Sequence, residues 1–206
     1  MSVFYTVHWM GKNNKTRKSI NPTQRLSKTY SVVDYESNNG MLTTVWGPSM
    51  WHTLHAISFN YPVNPSNKEK QHYRNYILSL KHILPCGKCR KNFSKNLKTL
   101  PLTMSSMKSR DTFSKYIYEL HEVVNGMLGK HSGLTYDDVR ERYEHFRSRC
   151  TISLGVKTRK HKKYIEDGCT EPLIGEKSKC ILKIIPNDEK CETFQIDNKC
   201  IKKKMQ

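Results

Sequence analysis

Apolar residues recur at helical spacing through the middle of the chain. Tyr73, Tyr76, Ile77, Leu80, Ile83 and Leu84 fall at i, i+3, i+4, i+7, i+10 and i+11, the pattern of one buried helix face. Pro85 stops that helix. Further on, Phe113, Tyr116, Ile117, Leu120, Val124, Met127 and Leu128 form another stripe, with His121 on the same face and Gly129 closing it. Upstream, Trp51, Leu54, His55 and Ser58 share a face. Gly47-Pro48-Ser49 opens that helix, with proline in the first turn where its missing N–H costs nothing, and Tyr61-Pro62 ends it. A short helix over residues 87–97 would bury Phe93 and Leu97. Thr135-Tyr136-Asp137-Asp138 reads as an N-cap with a shortened, carboxylate version of the capping box. It starts a last helix carrying Val139, Arg142, Tyr143 and Phe146 towards Cys150. No strand pattern interrupts this run. The expected fold is all-α, a four-helix bundle with a short fifth helix.

The flanks differ in character. Residues 1–43 are rich in Ser, Thr, Asn and Lys without a sustained period, and read as a flexible basic segment. Residues 44–150 form the core domain. Residues 151–206 begin with a basic linker and continue with Cys169, Cys180, Cys191 and Cys200. In this extension Ile181-Leu182-Lys183-Ile184-Ile185 and Thr193-Phe194-Gln195-Ile196 have strand-like composition. A small β-hairpin module, held by a framework of disulfides, or a weakly ordered tail is the expectation there.

Charge adds a constraint. The 206-residue chain carries a formal net charge of +18, a field that attracts polyanions. The basic residues are spread along the chain, so any nucleic-acid contact is expected to be non-specific. No apolar run approaches the roughly 18 residues of a membrane span, and the first residues do not read as a secretory signal. The stretch with Lys12, Lys15, Arg17 and Lys18 is hydroxyl-rich and acid-poor and weakly resembles a transit peptide, but a flexible tail is the favoured reading.

The chemistry centres on Pro85-Cys86-Gly87-Lys88-Cys89-Arg90, which holds the one C-x-x-C of the chain. Such a pair serves either as a redox dithiol or as half of a zinc site. Zinc needs two more ligands, and there is no second C-x-x-C; a zinc-stabilised, basic nucleic-acid-binding protein is the alternative reading. The redox reading has local support. A cysteine at a helix N-terminus sees the positive end of the dipole, and Lys88, Arg90 and Lys91 add positive charge. Both stabilise thiolate. Taken singly, Trp51, His55 and His121 could be ordinary core residues.

Together they form an ordered set. Gly47-Pro48-Ser49-Met50-Trp51-His52-Thr53-Leu54-His55, Tyr61-Pro62, the C-x-x-C, Leu120-His121-Glu122-Val123-Val124-Asn125, Leu128-Gly129-Lys130 and Arg142-Tyr143 occur in this sequence. In order and spacing the set resembles the Erv/ALR family of FAD-linked sulfhydryl oxidases. The resemblance implies a helical bundle holding FAD, with Cys89 against the flavin and Cys86 exchanging with substrate. It implies FAD contacts at Gly47, Trp51, His55, Tyr61, His121, Asn125, Lys130 and Tyr143. It also implies protein dithiol substrates, molecular oxygen as final acceptor with hydrogen peroxide as product, and a homodimer. Virally encoded relatives act in the cytoplasm, so a cytoplasmic or virion location is expected, with the mitochondrial intermembrane space as the rival. The chain departs from the pattern at Glu122, where asparagine is usual, at Tyr143, where tryptophan is common, and at Pro48, where arginine is frequent. Some relatives carry a cysteine at the position of Tyr118, paired with the equivalent of Cys150.

Overall fold

The structure is a computed structural model that describes residues 31–149, 169, 171–173, 176–189 and 195–201. Its core is helical: α1 (Val32–Glu36), α2 (Thr43–Phe59), α3 (Asn67–Ile83), α4 (Gly87–Thr99), α5 (Arg110–Met127) and α6 (Tyr136–Glu144). Helix α2 packs chiefly on α5 and α3 on α4, with α6 lying across α2 and α5. The expected bundle with a short extra helix is therefore what the chain forms. None of the described helices is long and apolar enough to cross a membrane.

Local chemistry explains the helix boundaries. Helices α3 and α6 start in reciprocal capping boxes, Ser66 with Glu69 and Thr135 with Asp138, and each such cap stabilises its helix by about 1 kcal/mol. Helix α5 starts the same way, with Ser109 and Thr112. It ends before Gly129, whose φ of 64° is the left-handed conformation glycine adopts without strain. Helix α2 departs from expectation. It starts at Thr43, so Pro48 lies inside the helix rather than in its first turn. The missing N–H there leaves the Thr44 carbonyl without its usual helical donor.

The core joins Leu54 of α2, Ile77 and Leu80 of α3, Phe93 of α4, and Phe113, Ile117 and Leu120 of α5. Each such side chain contributes about 1.5–3 kcal/mol by leaving water. Tyr61 and Met107 are fully buried with them, and the Tyr61 hydroxyl donates to the Met107 carbonyl at 2.9 Å. The outer ends of the predicted stripes are less buried: Ile83, Met127 and Leu128 are exposed. Arg147 ties the end of α6 to the end of α2. Its guanidinium grips Glu144 through two nitrogens and donates to the Phe59 carbonyl at 2.5 Å, where the negative end of the helix dipole favours a cation.

Residues just before the core are more ordered than their polar composition suggests. Residues 37–41 form a strap across the C-x-x-C. The Met41 N–H donates to the Pro85 carbonyl at 2.8 Å, and Trp46 Nε1 donates to the Met41 carbonyl at 3.1 Å. Gly40 is required at this crossing, because a Cβ would sit 2.6 Å from the Pro85 oxygen and 2.9 Å from the Cys86 Cα.

The C-terminal extension joins the core through a two-stranded antiparallel ladder, β1 (Ser148–Arg149) with β2 (Glu171–Pro172). The strand-like residues 181–186 are in no ladder among the described residues, and residues 193–194 lie outside the described ones. Cys180 and Cys200, expected in a disulfide framework, are free thiols, whereas Cys169 is disulfide-bonded. Cys150 and Cys191 lie outside the described residues.

Candidate active site

Cys86 is the N-cap of α4 and its Sγ accepts the Cys89 N–H at 3.2 Å. This places one sulfur at the positive end of a helix. Both thiols are free and half-buried. Their surroundings push them apart. The Cys89 thiol and backbone N–H donate towards Cys86, which holds the Cys86 pKa below the usual thiol value. Burial, reinforced by the donation to Cys86, pushes Cys89 up. Cys89 Sγ also lies 3.8 Å from Thr43 Oγ1, at the first residue of α2. That contact spans 46 positions in sequence, and no motif announced it. Cys86 thus sits at the helix N-terminus with its pKa lowered, and Cys89 sits beside Thr43 with its pKa raised.

Farther along α2 an aromatic and imidazole cluster fills the space between α2, α5 and α6. Trp51 stacks on His121, with ring centroids 4.0 Å apart and planes within 7°. His55 Nε2 and His121 Nδ1 are 3.0 Å apart. Tyr143 lies over Phe59 and near His55, and its hydroxyl meets His52 Nδ1 at 3.1 Å. From Thr43 to His55 the helix rises about 18 Å at about 1.5 Å per residue. The dithiol and the cluster thus mark two places along one wall.

Of the residues named from sequence, the structure brings Trp51, His55, His121 and Tyr143 into this cluster. Asn125 sits one turn beyond His121 and donates from Nδ2 to Glu122 Oε1 at 2.9 Å, so the unusual glutamate is held by its neighbour. Lys130 is exposed just past the end of α5, its N–H bonded to the Asn125 carbonyl. Gly47 is buried on α2. Tyr61 stands apart, in the core against Tyr73 and Phe113. His52 and Phe59 were missed, although they fall at i−3 and i+4 from His55 and so share its side of the helix. Tyr118, where some relatives keep a cysteine, donates its hydroxyl to the Leu134 carbonyl at 2.8 Å.

The histidine pair dictates a pH response. Burial, then the charges of His121 and His52, lowers the His55 pKa from 6.5 to about 3. Burial lowers His121 from 6.5 to about 4. Geometry agrees: one nitrogen of the His55–His121 contact must accept, so the two rings cannot both be imidazolium without setting N–H against N–H. Below about pH 6.5 the unfolded chain binds protons that the folded chain refuses. Stability is therefore full above that pH and falls as pH drops towards about 3, with a slope approaching about 1.4 kcal/mol per pH unit for each ring. Urea unfolding at pH 7 and pH 5 should show a clearly lower midpoint at pH 5. A midpoint indifferent to pH over that interval would contradict a neutral buried pair.

The cluster also has capacity to hold a bound group. His55 Nδ1 is buried with no hydrogen-bond partner, the kind of atom whose desolvation a ligand would offset. Trp51, His121 and Tyr143 offer flat aromatic faces, and Lys130 adds a cation nearby in sequence. These donors suit a planar, aromatic, phosphate-bearing cofactor. Among the described residues no group of three or more His, Cys, Asp or Glu side chains gathers to hold a metal.

Comparison with known proteins places the chain among sequences of one family. The profile of the Erv1 / Alr family matches residues 48–144, which span the cluster and both cysteines. A probable FAD-linked sulfhydryl oxidase of Acanthamoeba polyphaga mimivirus is 38% identical over 99 residues, 48% of this chain and 68% of that protein. The FAD-linked sulfhydryl oxidase of African swine fever virus is 33% identical over 85 residues, 41% of this chain and 69% of that protein. A crystal structure of Erv1 from Saccharomyces cerevisiae aligns with a TM-score of 0.47 and 22% identity, over 60% of this chain and 95% of that one. With about two thirds of each viral relative matched and the family profile spanning the dithiol and its aromatic wall, the chain belongs to the Erv1 / Alr family.

Proposed function

We propose that this protein is a FAD-dependent thiol oxidase that introduces disulfides into protein substrates. The observation that carries the reading is the asymmetry of the dithiol, with Cys86 capping α4 at depressed pKa and Cys89 turned towards Thr43 at raised pKa. In the oxidised enzyme a substrate thiolate attacks Cys86 Sγ of the Cys86–Cys89 disulfide. The S–S bond breaks and Cys89 leaves as thiolate. A second substrate thiolate then attacks the substrate sulfur of the mixed disulfide, forming the product disulfide and releasing Cys86 as thiolate. The pair now holds the two electrons, and its protons exchange with solvent.

Bound FAD would supply the acceptor for that electron pair and pass it to molecular oxygen, giving hydrogen peroxide. Trp51, His55, His121, Asn125 and Tyr143 would hold its rings through stacking and hydrogen bonds, Lys130 would meet its phosphates, and buried Gly47 would leave room beside α2. Tyr61, being in the core, would act by shaping the wall rather than by touching the cofactor. A cytoplasmic or virion location and a homodimeric assembly belong to the same proposal. The rival reading, a zinc-stabilised nucleic-acid binder, has no ligand set among the described residues.

The purified protein should show the visible absorption of bound flavin and consume oxygen only when given a dithiol. A folded, colourless protein that takes up no added FAD would overturn the proposal.

A further inference from the structure

Helix α4 presents two opposite faces. Cys89, Phe93, Asn96 and Leu97 turn inward, and Lys88, Lys91, Lys95 and Lys98 are all exposed. At 100° per residue the four lysines fall within an arc of about 80° and extend about 15 Å from the first turn. The helix, GKCRKNFSKNLKT, contains no carboxylate, and none of the four lysines has an ion-pair partner. Lys88 and Lys91 sit near the positive end of the helix dipole, where cations destabilise a helix, so helix stability does not account for their placement. The face begins beside Cys86. There Asn38, Asn39 and Gly40 of the strap, with Pro85, Gly87 and Arg90, line a shallow polar groove.

We propose that this lysine face and groove form a docking track for an acidic segment of the dithiol substrate. The inference rests on the thiol-oxidase reading above and adds to it a substrate class: a cysteine pair with Asp or Glu within about five residues. An extended chain covers about 3.3–3.6 Å per residue, so a substrate with its thiol at Cys86, about 18 Å of helix rise from Lys98, brings its fifth or sixth neighbour level with Lys98. Charge complementarity there raises the encounter rate and fixes the direction in which the segment lies. A polynucleotide is the weaker fit. It has no thiol for Cys86, and α4 offers no exposed aromatic on which bases could stack, since Phe93 is buried.

The test uses the full chain, two peptides of equal length with one C-x-x-C each, flanked by Asp/Glu or by Lys, and dithiothreitol. At low salt the acidic peptide should be oxidised with a kcat/KM on the order of tenfold above the basic one, and the gap should shrink at about 200 mM salt. Lys95→Glu with Lys98→Glu should abolish the preference and leave dithiothreitol oxidation unchanged. A serine version of the acidic peptide should bind by fluorescence anisotropy and lose about tenfold affinity in the double variant. That binding reports on the track even if dithiothreitol is not oxidised, which would instead sink the oxidase reading. Equal kcat/KM for the two peptides overturns the proposal. So does lysine-dependent binding of a single-stranded oligonucleotide with no preference between peptides.

Discussion

Cys89→Ser should lower thiol-dependent oxygen consumption by on the order of 10³-fold or more, and Cys86→Ser should do the same. The two losses arise differently. Without Cys89 the outer sulfur keeps its place at the α4 N-terminus but has no partner to resolve what it captures. Cys86 of the Cys89→Ser protein should therefore react fast with an aromatic disulfide and retain the mixed disulfide. Cys89 of the Cys86→Ser protein, half-buried beside Thr43 with its pKa raised by that burial, should react several-fold more slowly at neutral pH. Peptide-level mass spectrometry separates these sites from the free thiols Cys180 and Cys200. Faster labelling at Cys89 than at Cys86 would reverse the assigned roles.

Trp51→Ala should strip the protein of its cofactor. The indole is stacked on His121, and His121 in turn meets His55, so one deletion removes an aromatic face and loosens the imidazole pair. A loss of about 1.4–2.8 kcal/mol in cofactor binding corresponds to a 10–100-fold weaker affinity. The variant should purify with little flavin and regain it only at raised FAD concentration, whereas Trp51→Phe should keep most of it. Full flavin content in Trp51→Ala would remove the cluster from the cofactor site. The same variant should be less stable by about 2–3 kcal/mol, less than for a fully buried aromatic because Trp51 is only half-buried.

The parts legible in sequence are those fixed by local periodicity and capping. The α3 and α5 stripes predicted their helices, and Thr135 with Asp138 marked the start of α6. The order of Trp51, His55, C-x-x-C, His121 and Asn125 carried the family. Contacts that exist only in three dimensions left no local trace. Leu42 caps α2 without a side-chain hydrogen bond, so nothing marked a start at Thr43, and Pro48 drew the boundary to itself. Gly40 owes its role to the approach of Pro85 and Cys86, more than forty positions away in sequence. Ser148, Arg149, Glu171 and Pro172 have no strand pattern, yet they make the ladder, while the β-branched run at 181–186 has no strand partner among the described residues. Composition there promised a pairing that only a neighbouring strand could have supplied.

The Tyr118 hydroxyl meeting the Leu134 carbonyl has a consequence for how the protein matures. Where some relatives use a sulfur–sulfur link, this chain holds the loop before α6 with a phenol. A phenol hydrogen bond forms as soon as the helices meet and needs no oxidant. The bundle around the dithiol can then reach its working shape while all its own thiols are still reduced. At this one contact, an enzyme that generates oxidising equivalents consumes none in reaching its fold.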